Sequence, residues 1–273
     1  MTPLVTRPAL ITASALVLAA CAQPSEAPPA PAEVPTADSF LTDLRRDYPV
    51  TLSELAPGVW VHTTVYRIPG QNPIPVNGLV VVDGEAVTLV DGAWGELATV
   101  ALIDRVEAET GLPVTRMIVT HHHADRTQGV DAAERHGVQV FTHPDTPALA
   151  ARMGWPVPNT SVAALGEEGA RIKVGKVEVG YPGPGHAPDN LVAYLPDEKI
   201  LYAGCFLRGA GVESLGNVED ADLAEWRENL LWVKGTYRNA ETVVPGHGKG
   251  ADILLVDATA RLIDARMAAE AED

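Results

Sequence analysis

The chain has 273 residues, 46% of them hydrophobic and 21% charged, with a formal net charge of -16. That length suits one large domain or two small ones. The acidic balance argues against a nucleic-acid partner, and it would repel anionic small molecules unless something local reverses the field.

The N-terminus reads as an export signal rather than as part of a fold. Arg7 precedes an apolar run from Pro8 to Ala20, too short to span a bilayer but suited to a signal-peptide core. It ends in "LAAC", Leu18 to Cys21, which resembles the bacterial lipoprotein cleavage motif. That resemblance implies lipidation at Cys21, removal of residues 1–20, and a periplasmic protein anchored in the outer membrane. Ala22 to Ala37 carries five prolines and reads as a stiff tether, so that residues 21–37 hold a domain off the membrane. The only other cysteine is Cys205, so lipidation at Cys21 would leave it as a lone thiol.

A single domain is expected over residues 38–273. Short β-branched runs, "GVWVHTTVY", "GLVVVDG" and "AVTLVDG", predict an antiparallel meander. Glu96 to Glu109 reads as a helix ending at Gly111. "RMIVT" is an apolar strand running into "HHHADR", followed by a short helix over "TQGVDAAERHG" and a strand "VQVFTH". The second half repeats the theme with strands in "ARIKVGKVEVGYPG", "NLVAYLP" and "KILYAGC". Asp222 to Tyr237 is amphipathic, with Asp222 and Glu225 placed as a capping box. "ETVVPGHG" is a strand ending in a His turn, and a last helix covers most of Asp252 to Ala268. Strands followed by helices, twice over, predict an α+β fold of two sheets packed face to face with helices outside, although no sequence repeat links the halves.

The chemistry lies where strands end. "HHHADR", "GPGHAPDN" and "VPGHG" each follow an apolar strand and open a loop, and Cys205 ends another strand. Loops braced by a sheet are where preorganised sites are built. In an extended stretch His121 and His123 point the same way and His122 points away, so the outer two are expected as paired ligands. Asp125 can join them if the chain stays extended. Imidazole, carboxylate and thiolate together suit zinc. His121, His123, His186, Asp125, Cys205 and His247 are too many for one catalytic zinc, which takes three protein ligands and a water. They divide into two sites of three. His62, His136 and His143 match no motif and are expected to be structural or superficial; Met153 and Trp155 are expected to be packing.

These segments, with "GC…SLGN", occur in the order and spacing of the class B metallo-β-lactamases, over about Val59 to Gly248. They look like the first subclass of that family. The resemblance implies the four-layer αββα sandwich and hydrolysis of the β-lactam amide bond of penicillins, cephalosporins and carbapenems. It implies two Zn²⁺ per chain, one on His121, His123 and His186 and one on Asp125, Cys205 and His247. It further implies catalytic roles for Asp125 and Asn217, the latter holding the oxyanion. Asn217 and Arg208 would bind substrate, with Arg208 taking its carboxylate where the subclass usually has Lys. Arg126 and Asp91 would support the ligands from beneath. Val65 to Val76 corresponds to a flap over the substrate, here stiffened by three prolines. The chain is expected to act as a monomer. The competing readings are another hydrolase of the same fold, such as a thioesterase or lactonase, and a lipid-anchored zinc-binding protein without catalysis.

Overall fold

The computed structural model describes residues 37–272, with side chains from Leu41 onward. The expected signal, the lipidation position Cys21 and most of the tether lie outside the described residues. The described residues form one compact unit.

Two mixed sheets make the centre. The first has six strands in sequence order: β1 (Thr51–Ala56), β2 (Val59–Tyr66), β3 (Ile74–Asp83), β4 (Ala86–Val90), β5 (Val114–Ile118) and β6 (Gln139–Phe141). Strands β1 to β4 form the expected antiparallel meander, while β4, β5 and β6 run parallel. The second sheet has the order β11 (Thr242–Pro245), β10 (Ile200–Gly204), β9 (Val192–Leu195), β8 (Val177–Gly180), β7 (Arg171–Val174). Only β10 and β11 are parallel there.

Side-chain alternation explains why the sheets stack. On β3, Leu79 and Val81 enter the core between the sheets, with Ile118, Val179, Ala193 and Tyr202. Val80, one residue over, faces outward against Leu102 and Val106 of α2 (Glu96–Thr110) and Val130 of α4 (Val130–Arg135). On β10, Tyr202 points inward and Leu201 and Ala203 outward, against Trp226 and Leu230 of α6 (Leu223–Thr236) and Ile263 of α7 (Leu255–Glu272). Strands apolar on both faces are what a sheet buried on both sides requires. The result is the expected four-layer αββα sandwich.

Helix ends follow their local chemistry. Gly111 takes φ 67° and donates its N–H to the Glu107 carbonyl, closing α2 where expected. Asp222 caps α6 by accepting from the Glu225 N–H at 3.0 Å. The structure differs from expectation in three places. A helix α1 (Ala37–Asp47) precedes β1, held through buried Leu44 and an Arg45–Asp104 ion pair of 2.7 Å to α2. The helix expected over Thr127–Gly137 is two pieces, α3 (Ala124–Thr127) and α4, separated at Gly129. A Cβ on Gly129 would meet Thr99 Oγ1 at 1.9 Å, so the backbone must pass there without a side chain. The last helix starts at Leu255, later than expected, and runs on to Glu272.

Candidate metal centre

Six side chains from both halves of the chain converge at one edge of the sandwich. Val119 continues β5 into the loop that carries His121 to His123, and His186 lies between β8 and β9. Cys205 directly follows β10, and His247 follows β11. All but the fully buried His121 line a cleft of about 450 Å³.

The first cluster is three imidazoles. The candidate ligand atoms of His121, His123 and His186 all lie within 4.8 Å of one another. His121 Nδ1 lies 3.3 Å from Thr120 Oγ1, while its Nε2 is buried without any hydrogen-bond partner. Burial lowers the His121 pKa to about 3 and that of His186 to about 3, so both rings are neutral. His123 Nε2 lies 3.0 Å from a carboxylate oxygen of Asp220. A carboxylate can only accept, so this nitrogen carries a proton, and Nδ1 faces inward, 3.1 Å from His186 Nε2. Convergent imidazoles with an orphaned buried nitrogen are what a cation site offers.

The second cluster is anionic. Asp125 Oδ2 lies 3.5 Å from Cys205 Sγ and 2.9 Å from His247 Nε2. Burial would push the Cys205 thiol up, but the Arg126 guanidinium beside it prevails and holds it well below the usual thiol range. The same contest leaves Asp125 well below the usual carboxylate range. Burial opposes charge on His247 too, yet its pKa is raised to about 10 because the thiolate and Asp125 require a positive charge beside them. His247 Nδ1 lies 2.8 Å from the Pro75 carbonyl, which fixes Nε2 toward the anions. His121, Asp125 and Cys205 also form a metal-sized group, so the two clusters share an edge. The donors present therefore fit zinc: nitrogen alone in one cluster, and nitrogen, oxygen and sulfur in the other.

Arg126 sits beneath, fully buried. Its Nη2 lies 3.0 Å from Asp125 Oδ2 and donates to Cys205 Sγ at 3.1 Å. Its Nη1 donates to the Asn77 carbonyl at 3.0 Å and the Tyr202 hydroxyl at 3.2 Å. Asp91 completes the layer, accepting from Thr120 N–H, Thr120 Oγ1 and Tyr202 OH at 2.8 Å each.

Other expectations need correction. Asp125 does not reach in from an extended chain. Backbone φ and ψ are still extended at His123, but α3 begins at Ala124, and Asp125 projects from its first turn. His122 points away as expected and is buried, with Nδ1 2.9 Å from Asp189. His143 and His62 are buried and structural, His62 with Nε2 3.0 Å from the Asp91 carbonyl. Met153 and Trp155, expected to be packing, line the cleft. Arg208 and Asn217 line it too. Arg208 Nε donates to the Ser214 carbonyl at 3.0 Å, and its guanidinium lies over Gly216, where a Cβ would come within 3.2 Å. Asn217 Oδ1 accepts the Glu219 N–H at 3.1 Å, which leaves its side-chain NH₂ to donate. Asp220, Tyr202 and Asp189 were not anticipated. Asp220 stands three residues beyond Asn217, and that proximity is its signal in the sequence.

The profile of the Metallo-beta-lactamase superfamily matches residues 71–247. The chain belongs to this superfamily. A Bacillus sp. (strain 170) protein named metallo-beta-lactamase type 2 is 38% identical over 205 residues, which is 74% of this chain and 78% of the relative. A metallo-beta-lactamase from Hirschia baltica superimposes with a TM-score of 0.76 at 32% identity, covering 79% of this chain and 98% of that one. FIM-1 from Pseudomonas aeruginosa, solved in a mono-zinc form, gives 0.76 at 32% identity over 80% and 96%. The family is zinc-dependent, and candidate metal-binding groups, His121–His123–His186 and His121–Asp125–Cys205, are present in this chain.

Proposed function

We propose that this protein hydrolyses the β-lactam amide bond with two zinc ions and thereby confers β-lactam resistance. The observation that carries the reading is the adjacency of a three-imidazole cluster and an anionic Asp125–Cys205–His247 cluster in one cleft. His121, His123 and His186 would hold one ion and Asp125, Cys205 and His247 the other. Zinc bound there supplies a water activated near neutral pH and Lewis-acid stabilisation of developing negative charge.

The chain's own residues then divide the work. Asp125 and the Cys205 thiolate, held ionised by Arg126, lend charge without needing to lose a proton at neutral pH. Arg208 faces the cleft and would take the carboxylate of a penicillin, cephalosporin or carbapenem. The Asn217 amide NH₂ would donate to the carbonyl oxygen as it becomes an oxyanion, a contact worth about 3 kcal/mol in hydrolases. Carboxylates of Asp125, Glu219 and Asp220 line the same cleft. An anionic substrate therefore depends on the metal charge and Arg208 to enter.

A chromogenic cephalosporin, assayed with and without a chelator, tests this directly. Chelator-sensitive ring opening is expected. Zinc binding without turnover would favour a non-catalytic protein, and ester or thioester turnover in its place would favour another hydrolase. Elemental analysis is expected to give two zinc ions per chain, and Cys205→Ser one. One zinc in the wild type at saturating metal would overturn the two-site assignment.

The "LAAC" motif and the proline-rich tether support a lipid anchor at Cys21 and a place on the periplasmic face of the outer membrane. Cys21→Ala is expected to release the protein into the soluble periplasm. Wild-type protein already soluble there would refute the anchor.

A further inference from the structure

The base of the flap holds an aromatic pair that the catalytic reading does not use. Tyr66 is the last residue of β2 and faces Ile74, the first of β3, across the ladder. Ile74 and Trp94 both line the catalytic cleft. The Tyr66 ring lies flat on the Trp94 indole, with centroids 3.9 Å apart and planes within 8°. Trp94 also lines a second cavity of about 460 Å³, whose walls include Val65, Tyr66 and Leu97. The indole is thus a partition between two spaces. Its Nε1 is buried and makes no hydrogen bond, so no polar contact sets its angle. Without the Tyr66 ring, the space behind is large enough for the indole to swing out of the cleft wall.

We propose that Tyr66 is a positioning residue that determines substrate specificity: it holds Trp94 against the cleft, giving a bulky planar acyl side chain of a β-lactam an apolar wall. This rests on the β-lactam reading above. Tyr66 acts through Trp94 and leaves the metal clusters, Arg208 and Asn217 untouched. The stack needs a flat ring and not the hydroxyl.

The test uses the full zinc-loaded protein and two penicillins sharing one nucleus. One carries a phenyl-bearing acyl side chain; the other is the bare 6-amino nucleus. Tyr66→Leu is expected to raise KM for the first by about three- to tenfold, the range of one aromatic contact, with kcat nearly unchanged. KM for the bare nucleus stays at the wild-type value, and Tyr66→Phe restores the first substrate. Near-UV circular dichroism of the zinc-free proteins gives a second readout. The Trp94 contribution is expected to be altered in Tyr66→Leu and kept in Tyr66→Phe. Equal effects on both substrates, no effect on either, or failure of Phe to restore would overturn the proposal. Tyr66→Met replaces Leu if that variant does not fold. If the wild type opens neither penicillin, the β-lactam reading fails on its own. The dichroism then still decides whether Tyr66 sets the indole, and an unaltered spectrum in Tyr66→Leu refutes that.

Discussion

Removing the Arg126 charge should destabilise the protein more without zinc than with it. Arg126→Met keeps most of the stem and loses the guanidinium. The Asp125 carboxylate at 3.0 Å and the Cys205 thiol at 3.1 Å are left buried without their cation. Removing one partner of a buried pair costs about 3–5 kcal/mol. The Asn77 and Gly246 carbonyls, donated to at 3.0 and 3.3 Å, also lose a partner. Neither acceptor is fully orphaned, because Asn77 keeps the Tyr202 hydroxyl and Gly246 keeps the Asn77 N–H at 2.9 Å, so together they add only about 1 kcal/mol. A loss of about 4–6 kcal/mol is therefore expected in zinc-free protein, a large share of a typical 5–15 kcal/mol total. At roughly 2–4 °C per kcal/mol for a domain of this size, the midpoint should fall by about 8–24 °C. Zinc placed among the same anions supplies part of the missing charge, so the loaded variant should lose about 2 kcal/mol less. Urea unfolding of both proteins, with saturating zinc and with chelator, measures the four stabilities. Equal losses in the two states, or a loss below about 1 kcal/mol without zinc, would refute the role assigned to Arg126.

Arg208→Ala should lower kcat/KM on a cephalosporin and a carbapenem by about one to two decades, the worth of a charge-assisted hydrogen bond, with Arg208→Lys recovering most of it; steady-state kinetics check both. Asp220→Ala removes the acceptor that fixes the His123 proton on Nε2, and competition with a chromophoric chelator should show zinc held about 10- to 100-fold more weakly at the imidazole cluster. Burial lowers the His62 pKa to about 4, so the unfolded chain binds more protons than the folded one between about 6.5 and that value. Stability from this ring is complete above about pH 6.5 and is lost as pH falls toward 4, by about 3 kcal/mol. His62→Gln should flatten that slope in urea titrations at successive pH values, and the difference from wild type separates His62 from the ligand histidines.

Much of this architecture is written locally. Strands apolar on both faces, such as Leu79 to Val81, and a capped amphipathic helix such as Asp222 to Tyr237, carry their own instructions. The ligand segments could be read because each sits at a strand end, where the sheet sets the direction. What could not be read depends on contacts between distant segments. Whether Asp125 lies on an extended chain or a helical turn is decided after His123, where nothing in "HHHADR" marks the change. Tyr202 looks like one more core residue of β10 until Asn77 and Asp91, from the other sheet, are placed around its hydroxyl. Met153 and Trp155 have the composition of packing residues. Only the position of the end of α5 (Thr146–Met153) beside the cleft makes them a wall. The α1 helix is amphipathic but follows a proline-rich stretch and is polar on average, and its ion-pair partner Asp104 on α2 lies 59 residues away.

Neither cluster can be assembled from one half of the polypeptide. His123 meets His186 across 63 residues of sequence, and Asp125 meets His247 across 122. An ion held there is a removable cross-link between the two sheets, comparable to a disulfide closing a long loop. A chain exported unfolded would have no such site in transit, so metal capture would come last, as a seal on a domain already folded. Protease resistance should then follow zinc supply, and a cell short of zinc would discard the protein through proteolysis rather than merely hold it idle.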